Sequence, residues 1–125
     1  MSANILIIDD DEILAGLLEL TLELEGYTVS TAPDGDEGLA RVRGERFDLI
    51  LLDLVMPKMD GIKFLRLLNE SGFHRPPVMI VSSATGTELT DQHRALGVVA
   101  LARKPVEPAQ LVQRVAKLLA NEESR

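Results

Sequence analysis

Four short apolar runs in this chain each end on a residue that can hold or transfer charge. Asn4-Ile-Leu-Ile-Ile8 stops at Asp9-Asp10-Asp11, and Leu49-Ile-Leu-Leu52 stops at Asp53. Val78-Met-Ile-Val81 stops at Ser82-Ser83, and Val98-Val-Ala-Leu-Ala102 is followed at one residue's distance by Lys104. Brought together, these residues make a pocket of carboxylates, hydroxyls and one ammonium. Carboxylates held that close repel one another unless a hard divalent cation sits among them, and Mg2+ suits an oxygen-only donor set. Beside such a cation a carboxylate can attack phosphorus and form an acyl phosphate, while the Lys ammonium and a Ser hydroxyl hold the phosphoryl oxygens.

Each of these residues also has a plainer role open to it. An Asp between a strand and a helix commonly caps the helix, which applies to Asp9, Asp10, Asp11 and, before Gly61, to Asp60. Ser82 can satisfy backbone groups, and Lys104 before Pro105 can be a solvated turn residue. Their coincidence at four strand ends is what favours a shared site.

The elements that must position them follow from periodicity. Residues 4–8, 27–32, 48–53, 78–82 and 98–102 read as strands, short and rich in β-branched residues. Between them the period changes to that of helices. Ile13, Leu14, Leu17, Leu18, Leu20 and Leu24 precede a stop at Gly26, and residues 36–43 carry Leu39 and Val42 inward. A third helix holds Ile62, Leu65 and Leu68, a fourth spans 88–96, and a fifth runs from about Pro108 to Leu119. Its inward face is Leu111, Val112, Val115, Leu118 and Leu119, and residues 122–125 read as a frayed tail. Five strands alternating with five helices predict an α/β fold, a doubly wound parallel sheet covered on both faces. In such sheets the ligand crevice lies at the carboxyl ends of the strands.

Composition removes several alternatives. The 125 residues predict one domain, residues 1–125, with no room for a separate output module. No cysteine excludes disulfides, thiolate zinc and thiol nucleophiles. A net charge of −7, with scattered Lys and Arg, argues against direct nucleic-acid binding. Apolar runs of about five residues fall far short of the roughly 20 of a membrane span, and the start lacks a signal-like pattern, so a cytoplasmic protein is expected.

The segments Ile5-Leu-Ile-Ile-Asp9-Asp10, Asp53-Leu-Val-Met-Pro57-Lys-Met-Asp60-Gly61, Pro77-Val-Met-Ile-Val-Ser82 and Lys104-Pro105 together resemble the receiver domain of bacterial two-component response regulators, over residues 4–120. The resemblance implies a flavodoxin-like (βα)5 sheet in the order 2-1-3-4-5. It implies Asp53 as phosphoacceptor, Asp10 as a direct Mg2+ ligand, Asp9 as a ligand through water, and the Val55 carbonyl completing the metal site. Ser82 falls at the switch Ser/Thr, and Lys104 pairs with Asp53 at rest and with the phosphoryl group when modified. Pro105 is often cis in this family. Such a domain accepts its phosphoryl group from a histidine kinase or histidine phosphotransfer protein and switches a protein-binding surface toward a downstream target, in some relatives through a phosphorylation-dependent homodimer. It catalyses only its own phosphorylation and dephosphorylation. Free-standing regulator and domain of a larger protein are both open.

Three positions depart from the family pattern. An aromatic switch residue usually stands where this chain has Leu101, and Tyr27, Phe47, Phe64 and Phe73 lie elsewhere; coupling to the fourth helix and fifth strand is expected to be weak or to rest on packing of Leu101. Val55 and Ala84 occupy the positions that orient the hydrolytic water in relatives, and neither side chain can hydrogen-bond it. Slow self-dephosphorylation is expected. His74 and His93 read as surface residues. Competing readings are a haloacid-dehalogenase-type phosphohydrolase with Asp9 as nucleophile, for which the chain is short of a cap and a later acidic pair; a flavodoxin-like cofactor binder, whose phosphate cradle is replaced by three acids; and a receiver that mediates contacts without being phosphorylated.

Overall fold

Three of the strands are buried along their whole length or nearly so, and this sets the layering. In the computed structural model, which describes residues 2–55, 59–72, 75–83 and 88–123 with side chains to 120, the elements alternate in chain order. They are β1 (Asn4–Ile8), α1 (Glu12–Glu23), β2 (Thr28–Ala32), α2 (Gly35–Gly44), β3 (Leu49–Leu52), α3 (Gly61–Glu70), β4 (Val78–Ser82), α4 (Asp91–Ala95), β5 (Val98–Arg103) and α5 (Pro108–Glu123). All strand pairs are parallel, in the order β2-β1-β3-β4-β5. Residues of β1, β3 and β4 alternate between two apolar clusters because successive side chains point to opposite faces. Ile5, Ile7, Leu49, Leu51, Met79 and Val81 pack with α1 and α5. Leu6, Ile8, Ile50, Leu52, Val78 and Ile80 pack with α2 and α3 around Phe47 and Phe64. Both faces are therefore dry, which is why these strands read as continuous apolar runs rather than alternating ones.

The expected fold class and strand order are those observed. The differences lie at element edges and on two helices. β2 starts at Thr28, β3 is confined to Leu49–Leu52, α2 extends over Gly35–Gly44 and β5 runs on to Arg103. The fourth helix is Asp91–Ala95 rather than 88–96, because Thr90 caps it: its hydroxyl accepts the His93 N–H while His93 Nδ1 accepts the Thr90 N–H. His93 is thus a half-buried capping residue rather than a simple surface one. Residues 122 and 123, expected to fray, belong to α5. The segment 56–58, Phe73, His74 and Ala84 lie outside the described residues.

The inward face of α1 is also not the one its leucines suggest. Ala15, Leu18 and Leu22 are buried, whereas Ile13, Leu17, Leu20 and Leu24 are 88%, 49%, 57% and 77% exposed. The helix carries two apolar stripes, and periodicity alone does not rank them. The buried stripe is the one that meets Val29, Val115 and Leu119 in the sheet-and-α5 cluster.

Burial distinguishes these stripes energetically. Leu22→Ala is expected to lower unfolding free energy by about 2–5 kcal/mol, while Ile13→Ala changes it by less than about 0.5 kcal/mol. Denaturant titration of the two variants measures both, and similar losses would contradict the assigned face.

Candidate functional site

The five strands are parallel, so all their carboxyl ends lie at one edge of the sheet, and Asp9 and Asp53 sit one residue beyond two neighbours. β1 and β3 pair with Ile8 opposite Leu52, so the aspartates that follow are side by side. Each is anchored by its own backbone: the Asp9 N–H donates to the Ala32 carbonyl at 3.1 Å, and the Asp53 N–H to the Ile8 carbonyl at 3.0 Å. Both residues are nearly closed to solvent, at 4% and 5% exposure. Asp10 is exposed, yet one carboxylate oxygen from each of Asp9, Asp10 and Asp53 lies within 4.8 Å of the others.

Lys104 reaches into this group from the far side of the sheet. Its backbone N–H donates to the Ser82 carbonyl at 2.9 Å, which ties the end of β5 to the end of β4. From there its Nζ lies 3.0 Å from Asp9 Oδ2 and 3.6 Å from Asp53 Oδ2. The pairing expected with Asp53 is present, but the nearer partner is Asp9. The residue order along the sheet gave no hint of that, since β5 is three strands from β1 and only a long side chain crossing β4 and β3 can reach it. The Lys104–Pro105 peptide is cis, as expected.

The remaining carboxylate oxygens are held by backbone. Asp53 Oδ1 accepts the Val55 N–H at 3.1 Å, and Asp9 Oδ1 accepts the Asp11 N–H at 2.9 Å. Burial raises the pKa of Asp53 above the usual 3.8; the Val55 N–H and the Lys104 charge pull it down, and the charges of Asp9 and Asp10 push it up again. Burial alone would lower Lys104, but the hydrogen bond and charge of Asp9 and the charge of Asp53 outweigh it and raise it above 10.5. One ammonium faces three carboxylates, so negative charge remains uncompensated in a poorly solvated cleft.

That donor set fits a hard cation. Among the described residues, one carboxylate oxygen from each of three residues converges there, and one of the three residues is open to solvent where a cation could keep part of its water. Ser82, 1% exposed, ends β4 at the same edge of the sheet. Val55 is 64% exposed beyond Asp53, with an apolar side chain facing water.

The capping roles fall to other aspartates. Asp11, Asp34 and Asp60 cap α1, α2 and α3, accepting from the N–H groups of Leu14, Glu37 and Lys63. For Asp11 and Asp60 the capping role is the one their place before a helix suggests; Asp34, 7% exposed, is a further cap, signalled by Asp34-Gly35 before an acidic first turn. Gly61 belongs to this edge as well. A Cβ there would stand 2.8 Å from Leu54 Cα, so only glycine lets α3 begin against the chain just past Asp53.

Comparison with known proteins agrees with this geometry. The model of the response regulator receiver domain matches residues 5–116. The chain is 34% identical over 129 residues to the alkaline phosphatase synthesis transcriptional regulatory protein PhoP of Bacillus subtilis, covering 98% of this chain and 51% of that protein. It is 39% identical over 119 residues to the response regulator PleD of Caulobacter vibrioides, covering 94% of this chain and 26% of that one. The chain thus spans about half or less of the curated relatives it matches. Among solved structures, a CheY-like receiver domain protein from Methanospirillum hungatei superposes with a TM-score of 0.87 at 30% identity, covering 99% of this chain and 98% of that one. The chemotaxis protein CheY4 of Vibrio cholerae does so with a TM-score of 0.84 at 30% identity, covering 94% and 99%. With the family model matched over most of its length and the acidic edge in place, the chain belongs to the response regulator receiver domain family.

Proposed function

We propose that residues 1–125 form a single phosphoacceptor receiver domain in which Asp53 takes a phosphoryl group from a histidine kinase or histidine phosphotransfer protein. The observation that carries this reading is the sharing of Lys104 Nζ between Asp9 and Asp53 beside a converging third carboxylate. An Asp53 oxygen attacks phosphorus, the phosphorus–nitrogen bond of the donor phosphohistidine breaks, and its electron pair stays on the imidazole, which takes up a proton. The product is an acyl phosphate on Asp53. Lys104, already within ion-pair range of Asp53, balances the incoming charge, and the Ser82 hydroxyl serves as the switch group that follows the phosphoryl oxygens. Asp9, Asp10, Asp53 and the Val55 carbonyl are the residues that would hold Mg2+, which when bound supplies charge neutralisation at the phosphoryl group.

The donor has a natural landing place. Ile13, Leu17, Leu20 and Leu24 form an exposed stripe on α1 with 4-3-4 spacing, starting beside the acidic cleft and bordered by Glu12, Glu19 and Glu23. A helix with an apolar seam and basic flanks fits it. The domain acts through protein contacts in the cytoplasm rather than by turnover of a substrate or by its own contact with nucleic acid. Among the described residues no helix is long and apolar enough to cross a membrane. Leu101, half-buried against the α2–α3 side of the sheet, takes the place of an aromatic switch residue.

Incubation with radiolabelled acetyl phosphate and Mg2+ is expected to label Asp53 alone. Asp53→Asn abolishes labelling, and Lys104→Ala cuts its rate by about 100-fold. Label found on Asp9 instead would support a phosphohydrolase. Because Asp53 is harder to ionise in the folded protein than in the unfolded chain, its ionisation costs stability as pH rises from about 4 through its folded pKa. Lys104 loses stability in the same direction but over a higher range: its contribution is complete below 10.5 and is lost as pH rises through its folded value. At pH 7 in EDTA, Asp53→Asn should therefore melt about 3 °C or more above wild type, and MgCl2 should raise the wild-type Tm more than that of the variant. Scanning calorimetry with and without the metal reads both differences, and equal responses to MgCl2 would argue against Asp53 as a ligand. The phosphorylated form should decay slowly, with Val55→Asn plus Ala84→Glu accelerating decay by about tenfold or more; an unchanged decay rate would refute the role given to these positions.

A further inference from the structure

At the opposite edge of the sheet, by the amino ends of β4 and β5, a cavity of about 340 Å3 opens between the end of α3, the chain entering β4 and the turn from α4 to β5. Its polar groups come from Asn69, Arg75 and Arg94, and its apolar surface includes Leu68, Leu96 and Val99. No carboxylate lines it among the described residues, in a chain with 20 acidic against 13 basic side chains.

Two features show that this cavity is built rather than left over. Asn69 donates through Nδ2 to the Leu65 carbonyl at 2.8 Å and the Leu96 carbonyl at 2.9 Å, so its amide bridges α3 and the α4–β5 turn. That fixes its orientation and leaves Oδ1 to accept from Arg75 Nη1, which steers one guanidinium. The second feature is a bulge in the β4–β5 ladder. Val78 pairs with Val98 and Met79 with Ala100, so Val99 falls outside the register, 44% exposed, and lines the cavity. A bulge re-aims a side chain that regular pairing would have placed elsewhere. Pro76 and Pro77 form a stiff wall. Among the described residues Arg94 forms an ion pair with Asp91, at 3.7 Å between side chains 59% and 107% exposed, a contact too screened to compete with a dianion.

We infer that this cavity binds a small organic phosphate that carries a planar ring, of the nucleoside monophosphate class. Two guanidinium forks match a phosphate dianion in geometry as well as charge. The ring occupies the apolar side formed by Leu96, Val99 and the prolines, and the volume is sufficient for a mononucleotide. Bound ligand would clamp α3 to the α4–β5 turn. None of this depends on phosphoryl transfer at Asp53.

Titrating the whole chain with 5′-AMP, 5′-GMP, adenosine and inorganic phosphate, followed by amide NMR, tests the site. A mononucleotide should shift Leu96, Gly97 and Val99 saturably, with adenosine and phosphate at least about tenfold weaker. Arg75→Ala with Arg94→Ala should weaken binding by about tenfold or more, Arg75→Lys less, while labelling of Asp53 by acetyl phosphate stays unchanged. The site is ruled out if no mononucleotide gives saturable shifts up to about 10 mM, if phosphate alone binds as tightly, if the double variant binds as well as wild type, or if the shifts centre on Asp9 and Asp53. Loss of Asp53 labelling with intact nucleotide binding would instead strike the phosphoacceptor reading alone.

Discussion

A single ammonium shared by two buried carboxylates is the constraint around which the acidic edge is organised. Lys104 lies 3.0 Å from Asp9 and 3.6 Å from Asp53, and a third acid, Asp10, stands within reach of both. One carboxylate would leave a simple ion pair with Lys104; three leave excess negative charge where water is scarce. Burial of an ion pair by itself rarely stabilises a fold, because desolvation offsets most of the attraction. The arrangement is better understood as stability held back at one edge of the sheet, in a form sensitive to any change of charge there.

The rest of the molecule supplies rigidity to that edge. β1 and β3 are buried on both faces and paired in register, so the aspartates that follow them are fixed by strands rather than by a flexible loop. Backbone N–H groups of Asp11 and Val55 then hold one oxygen of each carboxylate. The same residue type does different work a few positions away. Asp11, Asp34 and Asp60 direct an oxygen to the first turn of a helix, and their role is local. What separates the two groups is position: an aspartate that closes a buried strand faces the crevice, and one that opens a helix faces its own backbone.

The β5 side of the sheet is less regular. The bulge at Val99 changes the alternation so that Val98 and Leu101 lie on one face while Ala100 and Ala102 lie on the other. Small alanines against α5 and a mid-sized leucine at the usual aromatic position give this edge little bulk, in keeping with the short α4 beside it. The two ends of β4 and β5 thus differ in charge: acids and one lysine gather at the carboxyl end, while at the other the arginines face a cavity that no carboxylate lines among the described residues.

Much of this was legible in the chain itself. Continuous apolar runs such as Leu49–Leu52 declare a strand buried on both faces, and an acid, hydroxyl or lysine after each run declares the edge where the crevice lies, because these signals are local and repeat with the fold. Other features were decided only by tertiary packing. Which of two apolar stripes on α1 turns inward depends on what α5 and the sheet offer it, and Ile13 and Leu22 look alike until that surface exists. The preference of Lys104 for Asp9 over Asp53 and the bulge that exposes Val99 share the same cause. Each is a contact between chain segments whose separation in sequence, or whose geometry at a strand edge, carries no periodic trace, so only the assembled sheet could select it.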